Sequence, residues 1–141
     1  MGTTIYFSGS ISGGRGDVAQ YRRIIDVLEA DGHRVLAGSV AAEDIGDGGD
    51  PLAAPAIFAR DMAWIEEADV LVAEVSTPST GVGYEIAAAR YRYDIPVICL
   101  WRPLRSKRCS AMVAGDTAIR NIEYTDDTFD AMLARLRAAL S

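Results

Sequence analysis

Cysteine and histidine are almost missing from this 141-residue chain: it holds Cys99, Cys109 and the single histidine His33. Two cysteines cannot make a disulfide framework, and Cys99 falls inside an apolar run that reads as a strand. One histidine without clustered cysteines offers no zinc donor set, so neither a metal nor another cofactor is expected. No apolar run approaches the roughly 20 residues of a membrane-spanning helix. Residues 1–4 show no basic region leading into an apolar segment, so a cytoplasmic protein with no membrane partner is expected. A basic excess is missing too. The formal net charge of −6 argues against a nucleic-acid polymer as partner, though a small phosphorylated ligand needs only local donors. What is there is an ordinary globular composition, 50% hydrophobic and 24% charged, long enough for one cored domain over residues 1–141.

The chain is organised around Ala68 to Glu85. Asp69 to Val75 is a short run heavy in β-branched residues, the pattern of a central parallel strand covered on both faces. Ser76-Thr77-Pro78-Ser79-Thr80-Gly81 cannot continue it, because Pro78 lacks a donor and the hydroxyls compete for local backbone bonds. Gly81-Val82-Gly83-Tyr84-Glu85 then opens a helix expected to run to Tyr93. Free N–H groups at a helix start, with the positive end of its dipole, suit a phosphate. Glu85 sits one turn in, where the dipole favours its anion. An anion site and a nucleophilic carboxylate candidate thus lie close together, although glutamate is common in first helical turns for electrostatic reasons alone.

Upstream, Thr4 to Ser8 reads as a first strand, followed by a glycine-rich loop through Gly16 that marks close backbone approach to something. Asp17 is the expected N-cap of a helix burying Val18, Tyr21, Ile24, Ile25 and Leu28, and Gly32 stops it. His33 to Ala37 is a second strand. Gly38 to Pro55 reads as a long mobile loop, the kind that serves as a lid. In the helix Ala56 to Glu67, Ile57, Asp61, Ile65 and Ala68 share one side, with Phe58 and Met62 adjacent, so Asp61 interrupts an apolar stripe. A carboxylate there needs partners or a function. Pro96 to Trp101 is a fourth strand, Arg102 to Arg108 the one basic run, and Ser110 to Val113 a short helix. Ala118 to Tyr124 is a fifth strand and Thr128 to Leu140 a closing helix with Phe129, Met132, Leu133 and Leu136 inward.

Strands alternating with helices predict an α/β fold: a doubly wound five-stranded parallel sheet in the flavodoxin- or Rossmann-like order 2-1-3-4-5. Its switch point would bring the loop after Phe7 beside the loop after Val75, so that Tyr6 and both glycine-rich turns converge on Glu85.

Tyr6-Phe7-Ser8-Gly9-Ser10-Ile11 with Gly13-Gly14-Arg15, then Asp61-Met62-Ala63-Trp64, Ala73-Glu74-Val75, Pro78-Ser79, Gly81-Val82-Gly83-Tyr84-Glu85, Leu100 to Pro103 and Ser110-Ala111-Met112 resemble the 2′-deoxynucleoside 5′-phosphate N-hydrolases. These belong to the wider nucleoside 2-deoxyribosyltransferase superfamily. The resemblance implies cleavage of the N-glycosidic bond of a deoxynucleoside monophosphate through a covalent intermediate on Glu85, with Asp61 handling protons at the leaving base and Tyr6 against the sugar. It also implies substrate binding by Ser8, Gly9, Ser10, Ile11, Ser12, Gly13, Arg15, Ser79, Gly81, Gly83, Ser110 and Met112, with Ser110 supplied across a homodimer interface. Paired carboxyl groups are the recurring solution for glycosidic cleavage. The chain departs from relatives at Ser12, where they carry an arginine; Arg15 or the run 105–108 is the expected substitute near the phosphate. Three other readings stay open on sequence: a ribonucleotide (CMP-type) N-glycosidase, a nucleoside 2-deoxyribosyltransferase, and a nucleotide-sensing module without turnover.

Overall fold

The computed structural model describes residues 2–11, 17–37, 52–103 and 108–141. Five parallel strands form one sheet in the order β2-β1-β3-β4-β5, as the alternation of elements predicts. They are β1 (Thr4–Gly9), β2 (Arg34–Leu36), β3 (Val70–Glu74), β4 (Val97–Trp101) and β5 (Arg120–Glu123). Helices α1 (Val18–Ala30) and α5 (Phe129–Leu140) cover one face; α2 (Ala54–Glu67), α3 (Thr80–Ala87) and α4 (Ala111–Gly115) cover the other. Strands buried on both faces carry apolar residues on both, and β3 is buried at every position. Val70 and Val72 pack towards Tyr21, Ile24 and Leu136, while Leu71 and Ala73 pack towards Ile65, Val82 and Ile86.

Register places Gly9 opposite Glu74, so the segments leaving β1 and β3 emerge side by side at the carboxyl edge of the sheet. α1 buries the expected Val18, Tyr21, Ile24, Ile25 and Leu28. It ends as expected at Gly32, whose φ of +94° suits a residue without a Cβ. α5 buries Phe129, Met132, Leu133 and Leu136, as their spacing requires.

Several boundaries differ from expectation. The expected lid spans 38–55, of which 38–51 lie outside the described residues. α2 begins at Ala54 because Pro55 suits a first turn, where its missing donor is not needed. The helix expected to run from Gly81 to Tyr93 is α-helical only to Ala87. It widens over Ala88–Arg92 into a π-turn, in which Tyr93 N–H bonds the carbonyl of Ala88 at 3.1 Å. Asp17 stands at the N-cap position of α1, yet its side chain makes no capping bond. Its carboxylate is buried in an ion pair with Arg102 instead. Arg102, the first residue of the basic run, is therefore taken up inside the fold.

Candidate active site

The site starts from the alternation along β1. Ile5 and Phe7 point to the α1 face, so Tyr6 and Ser8 point to the other, beneath α3. Both are nearly inaccessible, and a buried hydroxyl needs a partner. They share one: Tyr6 Oη donates to Glu85 Oε2 and Ser8 Oγ donates to Glu85 Oε1, each at 2.6 Å. α3 is aimed by its cap, Ser79, whose Oγ accepts from the N–H of Val82 at 3.3 Å. Glu85 is thereby held rigidly over the middle of the sheet. Burial pushes its carboxyl up to about 7; the bonds from Ser8 and Tyr6 pull it down, and the charge of Asp61 raises it again. The dipole argument anticipated a readily ionised Glu85, and desolvation outweighs it. Burial and the adjoining Glu85 carboxylate push the Tyr6 hydroxyl far above its ordinary range, which keeps it a donor.

Asp61 lies in α2 and lines a cleft of about 490 Å³ with Glu85, near enough for the two carboxyl groups to share a hydrogen bond. Its surroundings are less apolar than the helical stripe suggested. Ile65, Ala68 and Met62 are buried, but Phe58 is half exposed and Arg60 Nε sits 2.9 Å from Asp61 Oδ1. Phe58 and Tyr84 stand edge to face at the rim with ring centroids 6.0 Å apart, an apolar border the sequence reading did not single out.

Ser79, Thr80 and Gly81 form the end of this cleft at the start of α3. The hydroxyls of the preceding turn are not equally available. Ser76 is fully buried and its Oγ accepts from Arg102 N at 2.8 Å; Thr77 Oγ1 donates to Asp17 at 2.5 Å. Ser79 and Thr80 are left to face a ligand. Among the backbone donors, Val82 and Gly83 are bonded to Ser79, whereas Thr80 and Gly81 N–H have no partner among the described residues. Among the described residues a Cβ on Gly81 would meet only Ser79 Oγ, at 3.8 Å, so nothing among them demands glycine there. At Gly9 the requirement is internal: a Cβ would come within 2.8 Å of the Tyr21 ring.

The expected site residues do not all converge. Gly9, Ile11, Ser79, Gly81, Asp61 and Glu85 line one cleft, with Tyr6 and Ser8 behind Glu85. Ser10 is buried and its carbonyl accepts from Tyr21 Oη at 3.2 Å. Ser12, Gly13 and Arg15 lie outside the described residues. Gly83, Ser110 and Met112 line a second hollow beside Ile86. Gly83 and Ser110 also line a third, of about 390 Å³, together with Ser79 and Thr80. Ser8, expected to touch substrate, donates to Glu85. The signal for that was present in the sequence, as two hydroxyl residues at i and i+2 of a buried strand.

No cluster of metal-ligating side chains occurs among the described residues, and no helix there is long and apolar enough to cross a membrane. In solved structures the fold matches a Clostridium botulinum CMP N-glycosidase, with a TM-score of 0.61 at 16% identity over 94% of this chain and 98% of the other. It also matches a 2-deoxyribosyltransferase of Bacillus psychrosaccharolyticus, with a TM-score of 0.65 at 18% identity over 92% of this chain and 95% of the other. Sequence relatives are nearer. A Syntrophotalea carbinolica protein named for 2′-deoxynucleoside 5′-phosphate N-hydrolysis is 48% identical over 85% of this chain and 83% of its own length. The mouse 5-hydroxymethyl-dUMP N-hydrolase is 39% identical over 94% of this chain and 78% of its own length. The family model described as nucleoside 2-deoxyribosyltransferase matches residues 5–134, and with these relatives it establishes that the chain belongs to the nucleoside 2-deoxyribosyltransferase family, on the branch of the deoxynucleoside-monophosphate N-hydrolases.

Proposed function

We propose that this protein hydrolyses the N-glycosidic bond of 2′-deoxynucleoside 5′-monophosphates, releasing the free base and 2-deoxyribose 5-phosphate. The observation that carries the reading is the Glu85 carboxylate, gripped at both oxygens by Tyr6 and Ser8 in a cleft that also holds Asp61. The names of the relatives supply the substrate class.

Glu85 attacks the anomeric carbon as the carboxylate. The C–N bond breaks, its electron pair leaves with the base, and Asp61 delivers a proton to the base. Water then attacks the same carbon, Asp61 takes its proton, and Glu85 leaves as the carboxylate. The bonds from Tyr6 and Ser8 fix the attacking oxygens, so little motion separates bound substrate from attack. The 5′-phosphate belongs at the start of α3, on the N–H groups of Thr80 and Gly81 and the hydroxyl of Ser79. The enzyme is expected to work in the cytoplasm.

The active unit in this reading is a symmetric homodimer. Within its own chain Ser110 borders a hollow with Ser79 and Thr80 but does not line the cleft of Glu85, and the face around it exposes Tyr91 (79%) and Met112 (84%). An isologous contact over that face would bring Ser110 of the second copy to the phosphate.

The test is a panel of deoxyribo- and ribonucleoside monophosphates, with base release followed by chromatography and a second free base added in parallel. Release of base and sugar phosphate from deoxynucleotides, lost in Glu85→Gln, is expected. A new nucleotide in place of sugar phosphate would make the protein a transferase, and binding without release would make it a sensor.

A further inference from the structure

Beneath the turn after β3 lies a buried ionic cluster that the proposed chemistry does not use. Arg102, the residue after β4, is 8% exposed, Asp17 2% and Glu74 1%. Arg102 Nη2 donates to Asp17 Oδ1 at 2.8 Å, and its Nε lies 3.3 Å from Glu74 Oε2. Tyr124 Oη also donates to that carboxylate, at 2.5 Å. Three buried ionic groups are a poor way to gain stability, because desolvation offsets most of their attraction. Their connections point to a different use. The other oxygen of Asp17 accepts from Thr77 Oγ1, and Arg102 N–H donates to Ser76 Oγ. Ser76 N–H in turn donates to Glu74 Oε1 at 2.7 Å. Ser76 and Thr77 are thus tied into the cluster from below, and Pro78 then leads directly to Ser79, the cap of α3 and the border of the cleft.

We propose that Asp17 and Arg102 are positioning residues: through Thr77 and Ser76 they fix the turn that presents Ser79 and the start of α3 to the substrate phosphate. The inference rests on the phosphate site placed there above. The joint is short. A carboxylate held by a guanidinium on one oxygen leaves its other oxygen in a fixed place, and the Thr77 hydroxyl docks on it. Losing that bond frees the turn to shift by a fraction of an ångström, enough to matter for a ligand bound by oriented N–H groups.

Thr77→Val removes the hydroxyl at constant shape and leaves Asp17 and Arg102 paired. Expected are a rise in KM for a deoxynucleoside monophosphate of about tenfold with kcat lowered by less than about threefold, and a matching rise in the Kd of 2-deoxyribose 5-phosphate by calorimetry. Thr77→Ser should restore both. Ile24→Val, a core change of comparable cost in α1, should move neither. Wild-type constants in Thr77→Val, the same rise in Ile24→Val, or no rescue by serine would overturn the proposal while leaving the function intact. A wild-type protein that binds no sugar phosphate would overturn both together.

Discussion

At the scale of single residues, the two carboxyl groups divide the work by environment. Glu85 is desolvated and raised to about 7, so its reactive anion is formed only as pH rises through neutrality. The expected kcat/KM profile therefore climbs about tenfold per pH unit below about 7 and levels above it. A profile flat from pH 5 to 8 would show that free Glu85 is ionised throughout and that its burial has no catalytic consequence. Asp61 stands beside Arg60, at 2.9 Å, and its proposed role is to give a proton to the base. Asp61→Asn should slow hydrolysis most for bases that leave poorly, by about 10²–10⁴-fold, and least for those that leave as stable anions. Equal losses across a series of leaving groups would make Asp61 structural. Both carboxyl groups were legible from position alone. Their environments were not, because the partners that set them, Ser8, Tyr6 and Arg60, depend on which face of a strand or helix each side chain takes.

At the scale of elements, α3 carries Glu85 and the proposed phosphate end, and the widened turn over Ala88–Arg92 follows it. Its first turn is short of helix-favouring residues, since Gly81 and Gly83 both weaken it. Neither is required by packing among the described residues. Gly81→Ala should therefore leave the fold as stable or up to about 1 kcal/mol more stable, while raising KM for the monophosphate because the methyl group stands where a phosphate oxygen belongs. Loss of stability with unchanged KM would refute the assignment of Gly81 to the phosphate. The strand, turn and helix of this unit were readable in order, because a β-branched run, a proline and paired glycines each restrict the backbone locally. The π-turn was not. It depends on Ile95 and Tyr93 reaching back to the carbonyls of Ala89 and Ala88, contacts with no local sequence signature. Asp17 misled for a related reason: an aspartate before a helix is the common mark of a cap, and a buried arginine 85 residues away claimed it.

At the scale of the whole molecule, the sheet order followed from alternation and handedness, because parallel crossovers leave few topologies open. Assembly is the less local property. If Ser110 completes the neighbouring site, mixing Glu85→Gln with Ser110→Trp should restore part of the activity that each variant lacks, since one site in the mixed dimer then has both residues intact. No recovery after confirmed subunit exchange, or a fully active monomer, would exclude shared sites. The burial of Glu85 also has a consequence beyond its proposed chemistry. A carboxyl raised from 4.5 to about 7 binds its proton more tightly in the native state than in the unfolded chain. Stability from this source is complete below the ordinary carboxylate range and fades as pH rises through about 7, by about 3 kcal/mol in all. Glu85→Gln should accordingly melt near the wild type at pH 4 and well above it at pH 8. Wherever Glu85 is ionised, the native state is strained by the charge it must hold, and a population evolving for thermal endurance would be drawn towards surrendering that charge first.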